Sequence, residues 1–339
     1  MLKYIIINGL IRDEDTFFKN IKIYNTLIQE NIIDKILLVT DKNLKTDANN
    51  RPLGNVLNNV LRKKLIENNV EIFEIENLSI EEVEKIDPII RKRPRNSLRK
   101  NTLVGLSLWR PMYAFKKALE YIPENSFVLK TRTDCLLSYN LLKKIFTTYI
   151  IPNKPSSLLK YKIWSTGFDE KELFYIMDFC FAGHRNDLLK TTHMNGIYLK
   201  WGNKSPTGVN NFNTLWWVDI FINEFPKIKD YIQSYVNEST SIKQYQENLY
   251  YECMAYYYKK LDEYFIIDSG DREFMISQSW GNKDVFIAHS EIHKHNQGYT
   301  RYEFKNSVWI NKFKKNLFKS NEHLYNIYNV FNSIYHNRV

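Results

Sequence analysis

The stretch Ser126–Leu137, SFVLKTRTDCLL, decides the fold. It opens with an apolar run, Phe127-Val128-Leu129, and turns polar at once with Lys130, Thr131, Arg132, Thr133 and Asp134. That is the pattern of a buried central strand whose carboxyl end runs into a charged loop. In open α/β sheets the ligand crevice lies outside the carboxyl ends of the strands. An aspartate there, two residues after an arginine, is well placed to hold a divalent cation on a phosphorylated ligand. The competing reading is a surface ion pair between Arg132 and Asp134 in an ordinary turn.

Working outward, alternation of strand and helix patterns sets the fold class. Lys3–Ile7 reads as a strand broken by Asn8-Gly9. Asp13–Ile28 has helical spacing, with Phe17, Ile21, Tyr24 and Leu27 on one face. Lys35–Val39 is a second strand ending at Thr40-Asp41, Leu53–Asn68 a second helix, and Val70–Ile75 a third strand. Thr102–Tyr121 is a helix that Pro111 should kink or divide. Strands alternating with helices imply βαβ units and a mostly parallel, Rossmann-type sheet flanked by helices. The second half differs. Leu158–Trp164 and Leu173–Phe181 read as strands, Gly183–Asp187 as a turn into a helix, and Trp201–Phe212 as a loop. Leu215–Phe225 and Ile242–Leu261 read as helices, Tyr264–Ile267 as a strand, and Trp309–His336 as a basic amphipathic helix or helix pair. The expected division is a donor-binding half over 1–137, a more helical acceptor and catalytic half of the same domain over 138–300, and a basic helical appendage over 301–339.

The 339 residues carry a formal charge of +10 and are 44% hydrophobic, a globular composition able to bury a sizeable core. The three cysteines, Cys135, Cys180 and Cys253, are far apart and form no CxxC. That argues against a zinc site or a disulfide framework and fits a reducing cytoplasm. The start, MLKYIIINGLIRDED, does not read as a signal peptide, and no segment approaches the roughly 18 apolar residues of a membrane span. The expectation is a cytoplasmic protein, soluble or peripheral to the inner face of the cell membrane. Basic residues cluster in RKRPRNSLRK (91–100) and KFKKNLFK (312–319), which suits polyanions such as phosphates or anionic lipid heads.

Four stretches together resemble the WavE-type lipopolysaccharide-synthesis glycosyltransferases. They are YIIINGLIRD (4–13) followed by a helix and ILLVTD; Asn101–Ala118 running into VLKTRTD; DFCFAGHRND (178–187), similar to the family's D-F-x-F-x-G-x-x-x-D; and Gln246-Glu247-Asn248-Leu249, similar to a family Glu at the start of a late helix. They occur in the family's order over residues 4–250. The chain departs from the pattern at Asn8, where a Gln is usual, at Lys100-Asn101, where Arg-Gln is usual, and at Asn248 of the late acid–Gln pair. The resemblance implies a GT-A fold, a nucleotide-sugar donor, UDP- or GDP-linked, and a role in building a bacterial surface glycan, lipopolysaccharide or capsule.

The chemistry of such a transfer assigns roles. The leaving diphosphate must be neutralised, and Mn²⁺ or Mg²⁺ does this with one or two protein carboxylates. Asp134 fits as the metal ligand. Arg132 and Lys130 fit the donor phosphates or sugar, with a snorkelling edge residue as the plain alternative for Lys130. GT-A proteins often supply a histidine from the C-terminal region, which points to His289 as a second ligand, with His293 and His295 as competitors. A carboxylate must take the acceptor proton. Glu247 is the first candidate, for a single inverting displacement, and Asp219 the second, because Trp216 and Trp217 beside it would stack on a sugar face. Asn8, Gly9, Arg12 and Asp41 sit where they would wrap the base and ribose, and Gly183 where the backbone would approach the sugar.

The acceptor expected on this reading is a glycan or lipid-linked oligosaccharide, with the basic clusters touching anionic membrane. A basic nucleic-acid-binding protein is the alternative from another class. Against it, the aromatic residues are clumped in the second half, the cations lie elsewhere, and no recognition module is visible. No nucleic-acid partner is therefore expected. A different phosphate-transfer enzyme lacks its motifs, with no GxxxxGK[ST] and no kinase set. A degenerate, non-catalytic transferase is the last alternative.

Overall fold

A computed structural model describes residues 1–9, 11, 14–42, 57–76, 104–167, 176–177, 179–192, 216–217, 220–230, 249, 252–253, 256–257, 259–261, 263–268, 274–277 and 286–288. Its centre is a sheet built from β1 (Leu2–Asn8), β2 (Lys35–Asp41), β3 (Val70–Ile75), β4 (Ser126–Arg132), β6 (Ile163–Ser165), β7 (Phe181–His184) and β8 (Phe265–Ile267). The seven strands lie in the order β3-β2-β1-β4-β7-β6-β8. β7 is reversed, antiparallel to both β4 and β6, and the other pairings are parallel. The mostly parallel α/β class expected from the sequence is what the chain adopts. Because β4 and β7 pair directly, one sheet runs through both the 1–137 and 138–300 segments.

The strands read as near-continuous apolar runs because both faces are covered. In β1, Tyr4 and Ile6 enter one core while Ile5 and Ile7 enter the other. β4 divides likewise, Val128 to the first core and Phe127 and Leu129 to the second. The second core is closed by α1 (Glu14–Gln29), through Phe17, Ile21, Tyr24 and Leu27, and by α4 (Tyr139–Thr147), through Leu141, Leu142, Ile145 and Phe146. Ser138 caps α4, its hydroxyl accepting from the Leu141 amide at 3.1 Å. The first core is closed by α3 (Val104–Tyr121), through Phe115, Ala118 and Leu119, together with Trp216, Trp217, Phe221 and Tyr257.

Several elements differ from their sequence reading. α2 is Asn59–Glu67, because the Asn58 side chain accepts from the Leu61 amide at 2.8 Å and starts the helix there. Pro111 lies inside one continuous helix and does not divide it. β4 continues through Lys130 to Arg132, held in register with β1 as far as Asn8↔Arg132, so the loop begins only at Thr133. The strand expected over Leu158–Trp164 is confined to Ile163–Ser165, since the amides of Lys160 and Tyr161 are taken by the Asp187 carboxylate at 3.0 and 2.9 Å and not by a ladder. Gly183 and His184 belong to β7, not to a turn, and α5 (Arg185–Thr191) follows at once.

A second, three-stranded antiparallel sheet joins β5 (Cys135–Leu137) to β9 (Phe274–Ser277) and β9 to β10 (Phe286–Ala288). Among the described residues, no helix is long and apolar enough to cross a membrane. All three cysteines are buried and unbridged. Burial first, then the charge of Asp134, pushes the Cys135 thiol up to about 12, so it is an apolar filler and not a nucleophile.

Candidate functional site at the carboxyl edge of the sheet

The strand order reverses between β1 and β4: the chain adds β2 and β3 on one side of β1, then returns to place β4 on the other. Such a reversal leaves a crevice at the carboxyl ends of the two strands, where the connections diverge. The residues at that edge are those the sequence singled out. Asn8 pairs in register with Val39 of β2 and Arg132 of β4. Asp41 ends β2 two residues past Val39, and Asp134 follows Arg132 by the same interval.

Asn8 anchors the edge to the helix above it. Its Nδ2 donates to the Pro111 carbonyl at 3.0 Å. α3 reaches β4 through a short turn at the opposite, amino edge, where the Leu2 amide donates to the Asn125 carbonyl at 3.0 Å. α3 therefore runs from the carboxyl edge of the sheet towards its amino edge.

Gly9 makes the turn out of β1 with φ of +124°, a conformation that side chains other than glycine's rarely adopt. A Cβ built on it would stand 3.3 Å from the Thr133 hydroxyl oxygen. Glycine thus serves twice, by its backbone angle and by its lack of bulk against the β4 loop. Gly9→Ala should therefore cost about 1–3 kcal/mol through backbone strain, read as a lower denaturant midpoint at unchanged slope. A variant with the wild-type midpoint would show that the turn relaxes freely.

Arg132 and Asp134 form a two-bond pair across the turn. Arg132 Nε donates to Asp134 Oδ1 at 2.8 Å and Nη2 to Oδ2 at 2.5 Å. The Arg132 and Asp134 side chains keep 26% and 11% of their exposure, so this is a partly buried pair at the crevice wall and not a solvated one. The guanidinium also sits 4.9 Å from the centre of the Phe179 ring. Of the two expectations for the motif, the ion pair is the one that forms, at the carboxyl edge of β4.

Lys130 is placed differently from its sequence reading. It is a buried strand residue, not an edge residue reaching out, with its ammonium 5.3 Å from the Phe181 ring centre and 5.0 Å from that of Trp216. Gly183 is likewise internal. It pairs with Val128 in the sheet, and the space a Cβ would take is closed by Ile163 Cγ1 and Leu188 Cδ2, both at 3.1 Å. Its smallness serves the packing of α5 on β6 and β7. Trp216 and Trp217 are fully buried, their indole N–H groups donating to Thr191 Oγ1 at 3.1 Å and the Ile176 carbonyl at 2.9 Å. They are core residues and do not form a sugar-stacking face.

Arg12, Asp219, Glu247 and His289 lie outside the described residues. β10, which ends one residue before His289, runs parallel to β5. Cys135 is in line with Ile276 and Ile287, so the start of β10, not its end, lies level with Asp134. Among the described residues no group of three or more His, Cys, Asp or Glu gathers to hold a metal. Sequence reasoning did not single out Thr133, the Pro111 carbonyl or Phe179. Only Thr133 had a signal, its place inside the motif.

No known family profile matches the chain, and no curated protein is similar to it by sequence. Among solved structures, it is similar to a glycosyltransferase involved in the glycosylation of the major capsid of PBCV-1, at 12% identity and a TM-score of 0.31, covering 67% of this chain and 76% of that one. It is also similar to mouse xyloside xylosyltransferase 1 in its apo form, at 9% identity and a TM-score of 0.32, covering 66% of this chain and 82% of that one. Likeness at this level assigns neither a family nor an activity.

Proposed function

We propose that the protein is a glycosyltransferase of GT-A type that takes a nucleotide sugar at the crevice between β1 and β4 and passes the sugar to a growing surface glycan, lipopolysaccharide or capsule. The observation that carries this reading is the coincidence, at one topological switch point, of the glycine-only turn at Gly9 with the Arg132–Asp134 pair. The turn lets a ligand approach backbone, and the pair offers one cationic fork and one carboxylate. The four resemblances in the sequence point to the same class.

In this reading Asn8, Gly9 and Asp41 line the base and ribose, Asp41 accepting from a ribose hydroxyl or a uracil N–H. Arg132 pairs with the diphosphate, for which its planar fork is suited. Asp134 is the carboxylate that would meet a cation on that diphosphate. The fit is adequate for Mn²⁺ or Mg²⁺, which often take only one or two protein carboxylates and complete their shell with phosphate oxygens and waters. Bound there, the ion would supply Lewis-acid stabilisation of the leaving diphosphate. The acceptor hydroxyl would give its proton to a carboxylate, Glu247 or Asp219, in a single inverting displacement. A lipid-linked acceptor would bring the protein to the inner membrane face, with the basic stretches 91–100 and 312–319 against anionic heads.

The test is thermal shift with UDP, GDP and their sugars, each with Mn²⁺ and with chelator, on wild type and Asp134→Ala. One nucleoside diphosphate should stabilise the wild type by about 2.7 kcal/mol at a hundredfold excess over its Kd. The shift should fall sharply with chelator, and Asp134→Ala should lose its Mn²⁺-dependent part. No shift with any nucleotide would overturn the reading.

A further inference from the structure

We infer that Arg132 is a diphosphate-responsive latch on Asp134, so that the cation and the nucleoside diphosphate bind this site as a mutually dependent pair; the inference rests on the donor site proposed above. Both Asp134 oxygens accept from the one guanidinium, at 2.8 and 2.5 Å. A divalent cation arriving by itself must compete for those oxygens with Arg132. It would also strip a partly buried guanidinium of its carboxylate while adding a like charge beside it, which is unfavourable in a site screened from water. A diphosphate removes that obstacle, because its oxygens match the same fork and can take both N–H groups as Asp134 gives them up. The Phe179 ring, 4.9 Å from the guanidinium, gives Arg132 a second contact that does not depend on Asp134.

Two thermodynamic consequences follow. Each ligand should raise the affinity of the other by the same factor, on the order of 5–150-fold, because coupling between binding sites is reciprocal. Part of that coupling comes from direct contact between cation and phosphate, so it does not by itself identify the latch. The signature of the latch is opposite movement in the two separate affinities when Arg132 is changed. Loss of the guanidinium should release Asp134 for the cation and weaken the diphosphate.

The experiment is calorimetric titration of the full chain with Mn²⁺ alone, with UDP or GDP alone in chelator, and with both together. The variants are Arg132→Met, Arg132→Lys and Arg132→Met/Asp134→Asn. Arg132→Met should bind Mn²⁺ alone several-fold more tightly than wild type and the nucleoside diphosphate at least tenfold more weakly. The double variant should lose the gained Mn²⁺ affinity, which locates it at Asp134. Arg132→Lys keeps a charge without the two-pronged geometry and should fall between; it carries the test if Arg132→Met does not fold. Unchanged or weaker Mn²⁺ binding in both single variants overturns the latch while leaving the donor site standing, provided the wild type binds a diphosphate. A wild type that binds no diphosphate under any condition overturns both.

Discussion

Asp187→Ala should lower stability by about 2–5 kcal/mol, because it removes a buried acceptor shared by two backbone amides. The Asp187 carboxylate is fully buried. It accepts from the amides of Lys160 and Tyr161 at 3.0 and 2.9 Å and from the Lys190 ammonium at 3.3 Å. Alanine would leave two backbone donors without an acceptor, each costing about 1–3 kcal/mol. In a chain of this size the midpoint should drop by on the order of 10 °C. Asp187→Asn should recover only part of the loss, because one amide oxygen serves one donor while its NH₂ faces the other. Nucleotide binding measured well below the midpoint should persist, since α5 and the 158–162 bend lie toward the amino end of β4, where His184 pairs with Phe127. An alanine variant within about 1 kcal/mol of wild type would show that water replaces the carboxylate.

Trp217→Ala should cost a similar amount, about 3–5 kcal/mol, as for other buried aromatic truncations. Its ring meets Phe181 edge-on at 4.9 Å and Phe265 at 5.4 Å, tying the reversed strand β7 to the outermost strand β8. Trp217→Phe should cost less, because it keeps most of the apolar volume and loses chiefly the N–H bond to the Ile176 carbonyl. Urea unfolding of both variants measures this. If Trp217 instead faced a sugar, alanine would spare stability and abolish sugar-dependent binding, the reverse of the expected pattern.

These two residues mark where local pattern and tertiary role part. Asp187 stands inside the D-F-x-F-x-G-x-x-x-D resemblance and Trp217 beside a candidate base, so both invite a catalytic reading. In sequence, an acid four residues after a glycine looks the same whether it faces a ligand or two buried amides. The partners of Asp187, at 160 and 161, are themselves inside a stretch that reads as strand. Lys130 is a similar case. A lysine ending an apolar run reads as the start of a loop, whereas the folded chain buries its ammonium beside the rings of Phe181 and Trp216 within the strand. Gly183 reads as a turn glycine until Ile163 and Leu188 close over it.

Within the described part of residues 1–137, the sequence by itself determined the β1–β4 strands, α1 as a covering helix, the mostly parallel class, and a carboxyl edge bearing Asn8, Gly9, Asp41, Arg132 and Asp134. Those features follow from short-range rules, apolar runs that need both faces covered and the polar, glycine-bearing stretches that follow them. Tertiary structure alone decided the rest. It reversed β7, joined β5 to β9 across more than a hundred residues, and buried Lys130 and both tryptophans. Each of these depends on partners distant in the chain, whose contacts compensate for burying a charge or leaving a strand unpaired. No local spacing specifies which distant segment will supply that compensation.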